Sequence, residues 1–195
     1  MDLYLIRHTR VETAAGICYG RSDVPVASTY AHDLLAVQTR LAPVLEAGPV
    51  AVYSSPLRRC RLLAEALTAP QERAVSFDDR LMEYNFGRWE LQPWDQLPPA
   101  ELDPWMADFV HTAAPEGETF HGLQTRAVEF LTELLAAPPA VGAVLLVSHS
   151  AVIRSLLCHC LGLPLQHAFR LDIDYGSISK VRYRHCQFNV AFTNG

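Results

Sequence analysis

Two short apolar runs, each ending on a histidine, constrain this chain more than any other feature. Leu3-Tyr4-Leu5-Ile6 leads into Arg7-His8-Thr9, and Val144-Leu145-Leu146-Val147 leads into Ser148-His149-Ser150. An unbroken apolar run of this length suits a strand buried on both faces, with helices above and below. A helical pattern follows the second histidine directly. Val152, Ile153, Leu156, Leu157 and Cys160 face inward, and Gly162 and Pro164 close it.

The chain between the two runs alternates in the same way. Ser28 or Thr29 can cap a helix to about Glu46, with Leu34, Val37, Leu41 and Leu45 as its apolar stripe. Pro43 should kink or shorten its last turn. Pro49 to Tyr53 reads as a second buried strand. Ser54-Ser55-Pro56 reads as a helix start, with serine at the cap and proline at the first helical position. Ala74 to Phe77 is a third short strand. A turn at Pro115-Glu116-Gly117-Glu118-Thr119 precedes a helix to about Ala137, and Phe169 to Phe192 alternates like short strands around a Tyr175-Gly176 turn. Strands alternating with helices predict a three-layer α/β/α sandwich with a mostly parallel central sheet.

At 195 residues, half of them hydrophobic, the chain suits a single domain over 1–195 with a sizeable core. Gln92 to Pro115 holds five prolines with Trp94 and Trp105. It is too aromatic for a linker and reads as an excursion over the active face, with short helical pieces. A net charge of −5 leaves no basic footprint for nucleic acid. The apolar residues between Asp2 and Arg7 are too few for a signal core, and Val141 to Val147 is far short of a membrane span. A cytoplasmic location with no membrane partner is expected. The five cysteines fit no disulfide framework and no CxxC pair. Cys158-His159-Cys160 would diverge on a helix, so these thiols read as small hydrophobes. No metal and no cofactor is expected. The oligomeric state stays open, a homodimer included.

In a parallel sheet all the C-terminal strand ends lie on one side, where ligands bind. That gathers His8, His149, Arg7 and Arg59 at one rim. Arg58, Arg59 and Arg61 crowd the start of a helix, where cations oppose the dipole. A bound anion would compensate them; the plainer reading sends them into solvent. Guanidinium forks and helix N-terminal amides suit phosphoryl oxygens, and an imidazole can attack phosphorus. Glu83 sits among Met82, Tyr84, Phe86 and Trp89, a setting for a general acid. The loop Arg10 to Ala27 carries Cys18-Tyr19-Gly20-Arg21-Ser22-Asp23, whose aromatic ring, cation and hydroxyls suit specificity.

These motifs together resemble the histidine phosphatase superfamily, also called phosphoglycerate mutase-like. Arg7-His8-Thr9 matches the family's Arg-His-Gly. Ser54-Ser55-Pro56-Leu57-Arg58-Arg59 matches its Ser-x-Leu-x-Arg segment, and Glu83 with Phe86-Gly87 its Glu-x-x-Phe/Tyr-Gly segment. Pro115-x-Gly117-Glu118-Thr119 and Val147-Ser148-His149-Ser150 follow in the family's order. The resemblance implies a phosphoglycerate mutase-like fold and a metal-free phosphomonoesterase. His8 would be the nucleophile, and Arg7, Arg59 and His149 would hold the phosphoryl oxygens. Glu83 would be the acid and then the base. Arg58 and Arg61 would be solvated, and Arg154 structural. Thr9 and Ser150 stand where the family commonly has glycine; Thr9 could donate to the phosphate, and both count as substrate-binding candidates with Tyr19, Gly20, Arg21 and Ser22. Gly16 to Pro25 and Tyr175-Gly176-Ser177 are similar to the α-ribazole phosphatase branch, which implies α-ribazole 5′-phosphate. Tyr19 and the Trp89/Trp94 region could then stack on a ring. Sugar-phosphate phosphatase, mutase, phosphohistidine protein phosphatase and non-catalytic phospho-ligand binder are the alternatives.

Overall fold

The computed structural model describes residues 1–71 and 73–195. The elements run β1 (Asp2–Arg7), α1 (Tyr30–Glu46), β2 (Val50–Ser54), α2 (Arg58–Thr68), β3 (Val75–Phe77), α3 (Pro99–Ala107), α4 (Phe120–Ala136), β4 (Ala143–Ser148), α5 (Ser150–Leu161), β5 (Ile178–Arg184) and β6 (Gln187–Phe192). The strands form one sheet in the order β3-β2-β4-β1-β5-β6. β1, β2, β3 and β4 are parallel; β5 runs antiparallel to β1, and β6 antiparallel to β5.

Both faces of the sheet are covered, as the unbroken apolar runs require. Leu3 and Leu5 of β1 and Val144 and Leu146 of β4 pack under α4 and α5. Tyr4 and Ile6, with Leu145 and Val147, point the other way onto Val37 and Leu41 of α1 and Leu63 and Leu67 of α2. This is the α/β/α sandwich that the alternation predicts. Among the described residues, no helix is long and apolar enough to cross a membrane. The five cysteines are free, with Cys18, Cys60 and Cys158 buried.

Three local expectations need correction. α1 runs unbroken through Pro43 to Glu46. The missing amide costs one bond near the helix end, while Leu41, Val44 and Leu45 still pack on the sheet. α2 starts at Arg58 rather than at Pro56. Ser55 is held outside the helix because its hydroxyl faces His149 and accepts the Leu57 amide at 3.3 Å. Phe169 belongs to a 3₁₀ helix, Leu165–Arg170, and the C-terminal strands begin only at Ile178.

The excursion after Gln92 is compact. It holds a 3₁₀ turn at Trp94–Gln96 and then α3. The chain before it is anchored where Gly87 meets the Pro115–Gly117 turn. Arg88 N donates to Pro115 O at 2.9 Å, and Glu118 N to Asn85 O at 3.0 Å. Gly87 has φ +53°, and a Cβ there would lie 2.1 Å from Pro115 O and 2.5 Å from Gly117 N. Gly87→Ala is therefore expected to destabilise by more than the ~1–3 kcal/mol of left-handed backbone strain alone. Gly16→Ala supplies the comparison, because Gly16 has φ +78° with nothing within 4 Å. Urea unfolding of the two variants measures the difference, and equal losses would deny the close approach any energetic weight.

Candidate active site

β1, β4 and β2 deliver their ends in register: Arg7 sits opposite Ser148, and Ser54 opposite Val147. The next residues on these strands, His8, His149 and Ser55, therefore converge. The His8 and His149 rings lie 5.1 Å apart, edge to face. Arg59 joins them from the first turn of α2. Its Nε donates to His149 Nδ1 at 3.2 Å, and its two terminal nitrogens donate to Ser22 O and Gly20 O. Arg58 and Arg61 stay exposed, so only one cation of that helix start turns inward.

The bonds fix the imidazole tautomers. His8 Nδ1 lies 2.7 Å from Thr9 O, and a carbonyl can only accept. The proton therefore sits on Nδ1, and Nε2 keeps its lone pair. His149 Nδ1 accepts from arginine, so Nε2 carries the proton toward Ser55 Oγ at 2.8 Å. Cys60 Sγ lies 3.4 Å from the same nitrogen. Both rings are held neutral. Burial first, then the Arg59 cation, drives each histidine well below its usual value near 6.5.

Arg7 leaves the end of β1 and donates to Ile173 O at 2.6 Å, and Tyr175 lays its ring 3.7 Å from the guanidinium carbon. The Tyr175 ring also lies 5.5 Å from that of His8, and its hydroxyl is bonded to the hydroxyl of Tyr19. Arg7 Nε, Thr9 Oγ1 and Ser177 Oγ are buried without a hydrogen-bond partner among the described residues. Such groups are costly in a native structure unless something with lone pairs or protons meets them.

Glu83 stands across the cavity from β1. Its Oε1 accepts the Tyr84 amide at 3.0 Å, and its Oε2 lies 3.4 Å from Ser150 Oγ and Ala151 N at the start of α5. A cavity of about 210 Å³ opens between them, with Arg7, His8, Tyr19, Glu83 and Ser150 at one end. Ile17, Tyr84, Phe86, Trp94, Trp105, Phe109, Phe120, Ala151, Arg154 and Phe169 form the rest of its wall. Trp89 is excluded from this wall. It is 1% exposed and donates from its indole to Glu101.

Thr9, Gly20, Arg21 and Ser22, named with Tyr19 and Ser150 as substrate candidates, do not line the cavity. Thr9 is fully buried behind His8. The 20–22 segment is instead wrapped around Glu90, whose carboxylate takes the amides of Gly20, Arg21, Ser22 and Phe86 and the Ser22 hydroxyl. Burial opposes the charge on Glu90, but these bonds outweigh it and hold the carboxyl below its usual range. Gly20 also passes so close to Tyr84 that a Cβ would lie 1.9 Å from its carbonyl oxygen. Arg21 reaches Glu83 O at 3.4 Å.

Sequence reasoning passed over Ser55, Tyr175, Glu90 and Arg126 as site residues. Arg126, on α4, donates to the carbonyls of Arg80, Met82 and Glu83 and to both oxygens of Glu118. It braces the backbone that carries Glu83. A lone arginine on a helix offers no local signal of this. Only the Gly117-Glu118 motif pointed to the partner.

A family model described as histidine phosphatase superfamily (branch 1) matches residues 3–194. The chain belongs to that superfamily. It is thereby an enzyme of the phosphatase class. A Shigella boydii protein named "Probable phosphoglycerate mutase GpmB" is 32% identical over 189 residues, covering 94% of this chain and 86% of that one. The α-ribazole phosphatase of Shigella flexneri shares the fold, with a TM-score of 0.91 and 23% identity over 100% of this chain and 96% of that one. YhfR of Bacillus stearothermophilus superposes with a TM-score of 0.84 at 27% identity, covering 97% and 95%.

Two predictions follow from this geometry. Arg126→Met takes the Arg126 donor from Glu118 and three carbonyls, leaving Glu118 the Asn85 amide and Glu83 O the longer Arg21 contact, and is expected to cost about 3 kcal/mol and at least about tenfold in kcat/KM. Urea unfolding and steady-state kinetics read the two losses; a stability loss with full activity would separate Arg126 from the placement of Glu83. The second concerns pH. Because the folded histidines titrate below 6.5, the unfolded chain binds protons that the folded one refuses. Stability is then full above about pH 6.5 and falls as the pH drops toward the folded values. The slope is about 1.4 kcal/mol per pH unit for each such histidine. Urea midpoints at pH 7.0 and 5.5 test it, and equal midpoints would contradict two neutral buried rings.

Proposed function

We propose that the protein hydrolyses small phosphomonoesters through a phosphohistidine on His8. The observation that carries this reading is the His8 tautomer: a buried neutral imidazole, its Nδ1 proton tied to Thr9 O, presents the Nε2 lone pair beside two arginines. Phosphoryl transfer needs positioning and charge stabilisation more than acid strength. Arg7, with its unpartnered Nε, and Arg59, with an N–H to spare on each terminal nitrogen, would hold the equatorial oxygens. His149 would steer Arg59 and face the nucleophile from 5.1 Å.

In the first step the His8 Nε2–phosphorus bond forms as the ester P–O bond breaks, and Glu83 gives its proton to the leaving oxygen. In the second, Glu83 takes a proton from water. The oxygen attacks phosphorus, the P–N bond breaks, and inorganic phosphate leaves. No metal is required by any step. The whole chain would serve as one functional unit, with 92–115 supplying Trp94, Trp105 and Phe109 to the substrate wall.

α-Ribazole 5′-phosphate is the best single substrate proposal. The motif resemblance over Gly16–Pro25 supports it, as does the largely aromatic wall, which suits a heteroaromatic ring better than a bare sugar. The name of the Shigella boydii relative favours a second reading, a phosphoglycerate mutase-like transfer.

The test is kcat/KM for α-ribazole 5′-phosphate, 3-phosphoglycerate and simple sugar phosphates, with EDTA present. A preference of about a hundredfold, roughly 2.7 kcal/mol in the transition state, is expected for the first. His8→Ala should abolish turnover of every ester. Full activity in that variant would end the phosphohistidine mechanism, loss with EDTA would end the metal-free one, and phosphate appearing on a second hydroxyl of phosphoglycerate would favour the mutase.

A further inference from the structure

Arg154 is the one charged group of the cavity that the mechanism above leaves without a task. It lies on α5, four residues after Ser150, and lines the same cavity as His8 and Glu83. Its Nε donates to Leu171 O at 2.8 Å, and the face of Phe169 lies 5.4 Å from its guanidinium carbon. That is its one hydrogen bond among the described residues. The cation is partly buried. Burial, then the nearby Arg7 cation, lowers its pKa against the pull of Glu83, Asp172 and Asp174. A purely structural arginine would be expected to spend its fork on carbonyls, as Arg126 does. Arg154 spends one nitrogen and leaves the forked end for the cavity.

Placement supplies the side of the cavity. Residues i and i+4 share a helix face. Ser150 Oγ lies 3.4 Å from the Glu83 oxygen that would serve the ester oxygen. Arg154 leaves the same face of α5 one turn further on and lines the cavity beside Phe169, on the alcohol side. Phe109, Phe120 and Phe169, in mutual aromatic contact, accompany it.

We propose that Arg154 is a specificity-determining residue: it binds an oxygen acceptor on the alcohol half of the substrate, within the aromatic wall. A carboxylate is the strongest form of that acceptor, because a guanidinium in an apolar wall meets two oxygens at once. A ring or sugar oxygen is a weaker one. The proposal rests on the phosphomonoesterase reading and not on any one substrate.

Phenyl phosphate and 4-carboxyphenyl phosphate are the probes, since the para carboxylate projects into the alcohol half, away from the ester oxygen. The ratio of their kcat/KM values cancels the leaving-group difference when wild type and variant are compared. Arg154→Gln is expected to lower the carboxyphenyl-to-phenyl ratio about tenfold, roughly 1.4 kcal/mol, chiefly through KM. Arg154→Lys should restore part of it. An unchanged ratio, or equal losses on both esters, would overturn the proposal and leave Arg154 structural. An assay without variants covers the case of misfolding: on the wild type, 4-carboxybenzylphosphonate should inhibit about tenfold more tightly than benzylphosphonate, and equal inhibition would refute the acceptor subsite. No turnover of phenyl phosphate by the wild type is a distinct failure. It would sink the phosphomonoesterase reading and this proposal with it.

Discussion

Two uncharged imidazoles packed beside buried arginine are the constraint on which the rest of the molecule depends. Arg59 and His149 are fully buried and His8 nearly so. A buried cation is tolerated only when its protons are met. Here Arg59 is met by the carbonyls of Gly20 and Ser22 and the ring nitrogen of His149, and Arg7 by Ile173 O, while Arg7 Nε and one proton on each terminal nitrogen of Arg59 are left over. The loops around the site are therefore shaped first by the demands of guanidinium groups. Burial first, and then the Arg59 cation, hold the histidines neutral, which leaves His8 its Nε2 lone pair. In the proposed mechanism, nucleophile and anion cradle are two results of one burial.

That arrangement has to be braced, because loops alone would let the arginines return to water. Glu90 is the centre of one brace. It gathers four amides and a hydroxyl, and so fixes the 20–22 carbonyls that receive Arg59. Arg126 is the centre of the other. It fixes the 80–83 carbonyls and thus the backbone of Glu83. The charge logic is mirrored: a partly buried carboxylate organises the loop that serves a cation, and a partly buried cation organises the loop that carries a carboxylate. Gly87 and Gly117 let the two backbone turns between them close to contact distance.

The sequence made the sheet and its rim legible for a plain reason. Strands buried on both faces leave unbroken apolar runs, and parallel strands put their polar ends together. His8, His149, Arg7 and Arg59 could be gathered on that ground alone. The braces were not legible. Glu90 and Arg126 act on backbone atoms of distant segments, and a backbone carbonyl leaves no mark on composition or spacing. Ser55 reads locally as a helix cap within the Ser54–Arg59 motif, since nothing local tells a hydroxyl that caps from one that faces a histidine. The 20–22 segment misled in the opposite direction. Its cation and hydroxyl look like substrate ligands, yet the structure spends them on Glu90 and on the Glu83 backbone. Pro43 shows the same limit in the fold, where apolar packing carried α1 through a residue whose local preference is to stop it.

The two ends of the cavity answer to different physics, which explains why chemistry is easier to read here than substrate. At the phosphoryl end the demands are charge, tautomer and direction, and few residue types meet them at few places in an α/β sheet. At the other end the wall is Trp94, Trp105, Phe86, Phe109 and Phe169, drawn from four separate stretches of chain. Aromatic packing is tolerant of shape, and all of these rings but the exposed Phe169 are also part of, or lean on, the main core. Phe86, Trp94 and Trp105 would be needed to hold α3 against the chain before it even without a substrate. Selectivity on that side must come from the few groups whose hydrogen-bonding capacity the core does not consume. Within the wall, Arg154 is the group with capacity left over, because Leu171 O takes only its Nε.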